Sequence, residues 1–489
     1  MRTDAARAVW TAGERWLERL KLPFHLTLTV LAGAAMLVAG AGAILNLRSM
    51  KYLGALIVIG IAGAAFMALP KKFGFFLYAA GFTLPYFVQV ILIQRDRTSF
   101  AITGTFLVIS ALGIIGLATR VLEPSRMTLE PRITIPIFAF VCACLLSMVN
   151  TTDRTLTLVS LVQEVEMLLI FLILVNVLSN EAHAVSFLRG LYLGFAIQCV
   201  IYVIQNMLGF SFDVLGNRKY AGFTDLDSGR IGSQRGTFGT APAAAALYFS
   251  LMTLSLTGLY LSRRKLRVGL MPLLGMMMGL GCLVLSAKRA AMSGFAIALL
   301  VVIVLLWRRA PAAFRKLLPV LGSLALAFLL CLPVFLLRAS EDHEAAYEER
   351  ANLTRVAWNM YHAHPVAGVG FGTYDTVKRQ YLPPDWSGWL YTVHTRYLLI
   401  LSETGAVGFT ALLAVYLAVL VVAYRGIGQI TPEFRPLQIC LVAGLVAVYW
   451  EQVWDIFNSR QQGYLYWFMV ALAVALPRAL APAAEGEKA

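Results

Sequence analysis

Apolar runs of about 20 residues recur along this chain, and no other feature constrains its fold so tightly. An α-helix rises 1.5 Å per residue, so about that length crosses ~30 Å of hydrocarbon. Such runs lie near 23–47, 52–70, 73–94, 99–118, 133–150, 156–178, 184–208, 240–261, 268–287, 290–307, 317–337, 396–423, 437–455 and 464–482. They predict an all-α, polytopic integral membrane protein with about 14 transmembrane helices, a single membrane domain over 1–489. With 59% of its 489 residues hydrophobic and 14% charged, the chain has too little polar surface for a soluble fold of this size. Six cysteines (Cys142, Cys144, Cys199, Cys282, Cys331, Cys440) fall inside apolar runs and read as buried free thiols.

Charge placement sets the expected orientation. The net charge of +15 does not point to nucleic acid, because most Lys and Arg stand in short connections between apolar runs. With the amino end inside, cytoplasmic segments hold 23 of them, including Arg263-Arg264-Lys265 and Arg308-Arg309, against 8 in the short outer connections. Ten more lie in two long loops, 209–239 and 338–396, where the positive-inside rule has little force. Both termini are therefore expected in the cytoplasm, with Arg2, Arg7, Arg15 and Arg19 in a lead-in that no cleavage site follows. The loops 209–239 and 338–396 are expected outside, the second large and partly helical.

Chemistry is expected where these two loops meet the membrane surface. The first ends in Gly229-Arg230-Ile231-Gly232-Ser233-Gln234-Arg235-Gly236-Thr237-Phe238-Gly239, before a helix opening at Pro242. Glycines allow close backbone approach, and a helix amino end beside Arg235 suits an anion; a flexible hairpin with solvated arginines is the alternative. Ser286-Ala287-Lys288-Arg289 is a very short outer turn whose two cations run against the orientation rule and call for a negative partner. Lipid headgroups, a ligand phosphate, or the intramembrane acids Glu164 and Glu166 could supply it. A purely structural ion pair is the plainer reading of those acids.

Loop 338–396 opens with a charged run from Glu341 to Arg350, read as a solvated helix face. Arg355 and Trp358 follow, then His364-Pro365-Val366-Ala367-Gly368-Val369-Gly370-Phe371-Gly372-Thr373-Tyr374, a helix stopped by Pro and a Gly-rich turn. The loop ends at Val393-His394-Thr395-Arg396, on the threshold of a helix carrying Glu403 and Gly405. His362 and His364 do not share a helix face, which disfavours a metal, and no cofactor is expected. There is no Gly-x-Ser-x-Gly elbow, Walker loop or dinucleotide fingerprint. His25 and His183 fall on the cytoplasmic side and His343 in the charged run, so His394 stands alone at membrane depth, where an imidazole can take a hydroxyl proton. Arginines there suit a pyrophosphate through bidentate bonds, and Arg235, Arg289 and Arg355 are expected to converge on one anionic pocket with Glu164, Glu166 or Glu403 as counter-charges. Lys288, Arg396, Tyr374 and Trp389 complete the expected binding set. Aromatics here stack on sugars or form an interfacial belt.

In order and in side of the membrane, these segments resemble the O-antigen ligase and O-antigen polymerase superfamily. The resemblance in organisation covers most of the chain, and in motifs about 230–410. It rests on Arg235-Gly236-Thr237-Phe238-Gly239, on Ser286 to Arg289, on Arg355, Trp358 and His364 through Gly370, and on His394 followed at Gly405 by glycine. Three departures stand out: no Arg-x-x-x-Leu at Arg355, Thr395 where relatives carry Asn, and Thr240-Ala241-Pro242 where His-Pro-Asn is common. The resemblance implies a glycosyltransferase-C-like fold in the bacterial inner membrane and a metal-independent transfer of glycan from undecaprenyl pyrophosphate to an acceptor hydroxyl, with His394 close to the chemistry. For a ligase the acceptor is lipid A–core; for a polymerase it is another lipid-linked glycan. A transporter or flippase is the non-enzymatic alternative, and it would show repeated halves with broken helices.

Overall fold

A computed structural model describes residues 73–86, 89–95, 98–118, 127–208, 236–238, 242–262, 271–339, 344–386, 390–457 and 459–481. The chain divides into two compact units, 1–73 and 74–489, and all of the first but Phe73 lies outside the described residues. The second unit runs α1 (Phe73–Thr83), β1 (Gln89–Arg95), β2 (Thr98–Thr103), α2 (Gly104–Ala118), α3 (Pro131–Leu146), α4 (Arg154–Val177), α5 (Glu181–Leu208) and α6 (Pro242–Leu261). It continues with α7 (Met271–Leu285), α8 (Arg289–Arg309), α9 (Leu317–Ala339), α10 (Glu344–Ala363), α11 (Arg396–Gln429), α12 (Arg435–Trp454) and α13 (Arg460–Ala479).

Among the described residues, seven helices are long and apolar enough to cross a membrane: those over 131–149, 154–177, 181–207, 242–261, 289–309, 396–429 and 435–454. Their outer faces carry large exposed side chains such as Ile135, Phe138, Leu300, Trp307 and Leu417, as lipid contact requires. Cys142 shares that exposure, against the expectation of a buried thiol; Cys144, Cys199, Cys282 and Cys440 are buried.

The expected spans 73–94 and 99–118 are corrected. Helix α1 is 11 residues long and α2 is 15, and between them β1 and β2 form an antiparallel hairpin with a register shift between Ile91 and Ile93. Pro85 cannot continue a helix, and Val90, Ile91 and Ile93 are β-branched. A continuous apolar run does not by itself separate strand from helix. The expected runs 23–47 and 52–70 lie outside the described residues.

Helix α6 is buried along nearly its whole length and packs against α7, α8 and α12. Around it, α8 packs on α12, α11 on α3 and α12, and α13 on α4. Buried polar groups cross-link the bundle: Gln438 Nε2 of α12 donates to Ala423 O at 2.9 Å and Ala473 O at 2.8 Å, joining α11 to α13.

Helix α11 is broken near its start. Gly405 has φ 64° and ψ −167°, a conformation essentially restricted to glycine. The Gly-rich turn after α10 inserts its backbone at this break and satisfies the groups the break frees. Val369 N–H donates to Ser402 O (3.0 Å) and Gly370 N–H to Glu403 O (2.9 Å); Ala406 N–H donates to Pro365 O (2.8 Å) and Val407 N–H to Val366 O (3.3 Å). Within apolar surroundings each unsatisfied backbone group is costly, so turn and break require each other. Side chains cannot fit between them: a Cβ on Gly368 would lie 2.2 Å from Glu403 C, and one on Gly405 2.3 Å from Val366 C.

Candidate active site

Next to the break lies a cavity of about 400 Å³, walled by α3, α4, α11, α13 and the Gly-rich turn. Part of its wall is apolar, with Ile137, Phe140, Leu412 and Val415. Two helix amino ends open into it. Helix α11 starts at Arg396 after its N-cap Thr395, and α13 starts at Arg460 after its N-cap Ser459; both arginines line the cavity. The first turns of helices leave backbone N–H groups without intrahelical partners and carry a partial positive charge.

Each arginine is held by a carboxylate from α4. Arg396 meets Glu164 at 3.3 Å and Arg460 meets Glu166 at 3.6 Å. Glu166 is also bonded to the Tyr464 hydroxyl, which contacts Thr103 at the end of the hairpin. Among the described residues, Glu164 and Glu166 thus pair with two arginines at helix starts, not with Arg289 or Arg355. Glu403 lines the cavity from α11, and its Oε1 accepts the Tyr374 N–H at 3.0 Å. Asp375 lines it from the loop, bound by Lys378 Nζ at 2.5 Å and Thr392 Oγ1 at 2.8 Å. Tyr374 is buried in the wall, and burial pushes its phenol above the ordinary value, so it stays neutral.

The other expected residues are spread more widely. Arg355 does not line the cavity; it is exposed and forms a bidentate pair with Asp385 at 3.0 Å, which holds that carboxyl below its ordinary value. Arg289 is exposed at the start of α8. Lys288 is electrostatically coupled to Asp455 and Glu451 at the end of α12; burial pulls its ammonium below the usual value and those acids partly restore it. Arg235, Arg289 and Arg355 are therefore not seen together: two stand away from the cavity lining, while Arg235 lies outside the described residues, as does Trp389. The three residues after Arg235 are placed, and buried glutamines fix their backbone. Gln205 Nε2 donates to Gly236 O (3.1 Å), Thr237 Oγ1 donates to Gln198 Oε1 (2.7 Å), and Gln461 Nε2 donates to Phe238 O (3.2 Å). Gln461 itself lines the cavity, so the segment after Arg235 abuts its wall.

His394 sits half-buried between Thr392 and Arg396, both of which line the cavity, although its ring is not part of that lining. The backbone beside it is tied to the end of α12, Arg396 N–H donating to Asp455 O (3.0 Å) and Thr395 Oγ1 to Gln452 O (3.4 Å). His364 and His362 make aromatic contacts with Tyr381 and Trp358. Among the described residues, no group of three or more His, Cys, Asp and Glu is placed to hold a metal ion.

Arg460, Asp375, Ser459 and Gln461 were missed by sequence reasoning. Arg460 had a signal: a cation in the short outer connection before the last apolar run, against the orientation rule.

Residues 273–413 match the family model described as O-antigen ligase. That stretch includes the Ser286–Arg289 turn, the Gly-rich turn, His394, Arg396, Glu403 and Gly405, and it bears out the resemblance to the O-antigen ligase superfamily. No curated protein matches the chain.

Proposed function

We propose that this multi-pass member of the O-antigen ligase superfamily transfers a glycan from undecaprenyl pyrophosphate to an acceptor hydroxyl of lipid A–core. The reaction takes place at the periplasmic face of the bacterial inner membrane. One observation carries the reading: two helix amino ends, each opening on an arginine, meet at a cavity with an apolar wall. Guanidinium groups and the partial positive charge of helix amino ends suit a diphosphate, and the apolar wall suits the prenyl units next to it. Outward sidedness rests on the excess of basic residues in the short inner connections.

In the reaction the acceptor oxygen attacks the anomeric carbon, and the bond from that carbon to the phosphate oxygen breaks. The pyrophosphate leaves on its lipid, Arg396 and Arg460 balance the charge that develops on it, and His394 takes the acceptor's proton. The diphosphate is its own activated leaving group, so no nucleotide is needed. Lys288, Arg289 and Arg355, which stand away from the cavity lining, would act on the glycan and acceptor; Arg235 and Trp389 are assigned to the same substrates on the resemblance alone.

The test is reconstitution of the purified protein in liposomes with lipid-linked glycan and lipid A–core, without an ion gradient. Glycan joined to lipid A–core is the expected product. Glycan joined only to lipid-linked glycan would make the protein a polymerase, and movement of intact donor without a new covalent bond would make it a flippase.

A further inference from the structure

The cations at the cavity are already matched. Arg396 is held by Glu164, Arg460 by Glu166 and Lys378 by Asp375. Glu403 is a fourth carboxylate, 4% exposed and lining the same cavity, and among the described residues no ion pair includes it. Its Oε1 is fixed by the backbone N–H of Tyr374. Charged and titratable groups near it come from every wall: Arg396 on its own helix, Asp375 and Tyr374 from the loop, Glu164 from α4, Cys144 from α3, and Arg460 and Tyr466 from α13. With every acid and base ionised, this group of four carboxylates and three cations carries one unmatched negative charge.

Resting on the donor reading above, we infer that the cavity accepts a lipid diphosphate together with a proton, which Glu403 takes up. A diphosphate diester brings two negative charges into a space that already holds one too many, and like charges at close range disfavour the ionised form of the group between them. Glu164, Glu166 and Asp375 each have a cation in contact, whereas Glu403 has only N–H donors. Protonation of Glu403 removes the unmatched charge and leaves the three ion pairs intact. No cluster of metal ligands offers an alternative counter-charge among the described residues. Binding is reciprocal: if the diphosphate favours the proton, the proton favours the diphosphate by the same factor.

The experiment uses the full chain in nanodiscs of zwitterionic lipid and farnesyl-diphospho-N-acetylglucosamine, a diphosphate diester with no ionisation of its own near neutral pH. Its Kd is measured from about pH 5.5 to about pH 8.5, where linkage to one proton strengthens binding up to about tenfold per unit of acidification. Calorimetry in buffers of different ionisation enthalpy should count uptake of about one proton at the alkaline end. Glu403→Gln keeps an oxygen to accept the Tyr374 N–H; it should bind at alkaline pH as tightly as the wild type does in acid and show no slope. A flat wild-type profile with binding intact overturns the inference, as does a Glu403→Gln variant that keeps the slope. If that variant does not fold, the wild-type proton count decides. Absence of binding at any pH would overturn the donor reading itself, and this inference with it.

Discussion

Replacing Gly405 with Ala probes the break in α11. At φ 64° and ψ −167° an alanine carries about 1–3 kcal/mol of backbone strain. Its Cβ would also lie 2.3 Å from both the carbonyl carbon and oxygen of Val366, and those are backbone atoms that no rotamer change can move aside. Relief requires the Gly-rich turn to withdraw, which endangers the four backbone hydrogen bonds between it and the break. At a net contribution of about 0.5–1.5 kcal/mol each, loss of even two brings the expected destabilisation to about 2–6 kcal/mol. Gly428 on the same helix is the control, since a Cβ there meets nothing within 4 Å and alanine should add up to about 1 kcal/mol of helix propensity. Thermal unfolding in detergent, followed by tryptophan fluorescence, should place Gly405→Ala several degrees below wild type and Gly428→Ala at or slightly above it. The transfer rate should fall with the first and hold with the second, because the turn carries Tyr374 and Asp375 into the cavity wall. Equal melting temperatures for the two variants would refute the docked-turn argument.

Arg396→Ala and Arg460→Ala should each lower transfer by tens-fold or more, from the loss of charge-assisted bonds of about 1.5–3 kcal/mol, and Lys should restore only part because the bidentate fork is gone; wild-type turnover in Arg460→Ala would remove the last helix from the site. His394→Ala should keep donor affinity and lose about 10²–10⁴-fold in rate, measured as single-turnover transfer against donor Kd; an unchanged rate in the folded variant assigns the base elsewhere. In a background with the native cysteines replaced by Ala, Cys142 among them as an exposed thiol, Glu348→Cys should react with an impermeant maleimide in spheroplasts and Ala312→Cys should not. The reverse pattern would invert the proposed topology.

The sequence carried the membrane helices, the Gly-rich turn and the helix that receives it, because length, hydropathy and Gly-Pro punctuation are local signals. It misread 73–118 because an apolar run rich in Val and Ile is compatible with strand and helix alike, and only the hairpin pairing decides. It singled out Glu164 and Glu166 from the cost of carboxylates at membrane depth, and both carboxylates are paired with arginines. It did not single out their partners: Arg396, which holds Glu164, stood among several candidate cations, and Arg460, which holds Glu166, was not among them. Arg355 looked like a pocket cation in sequence, yet an exposed aspartate 30 residues on takes its fork.

The buried glutamines show a different limit. Gln198 and Gln205 stand seven residues apart on α5 and Gln461 in the first turn of α13, and their spacing does not say which backbone they meet. Only the fold brings all three to one short stretch, Gly236–Phe238, where each makes a hydrogen bond. Thr237 is held twice, by Gln198 and by the carbonyl of Pro85. The Arg-Gly-Thr-Phe segment therefore owes its resemblance-bearing sequence to two requirements at once: a glycine at φ 60° whose Cβ would strike Gln198, and a threonine short enough to reach two partners. Gly236–Phe238 is thereby held beside the cavity wall, just as the Gly-rich turn is held at the break in α11. Gly236–Phe238 and the Gly-rich turn thus both reach the cavity wall through backbone docked near a broken or freshly started helix, and helix starts are where N–H groups that suit a diphosphate are concentrated.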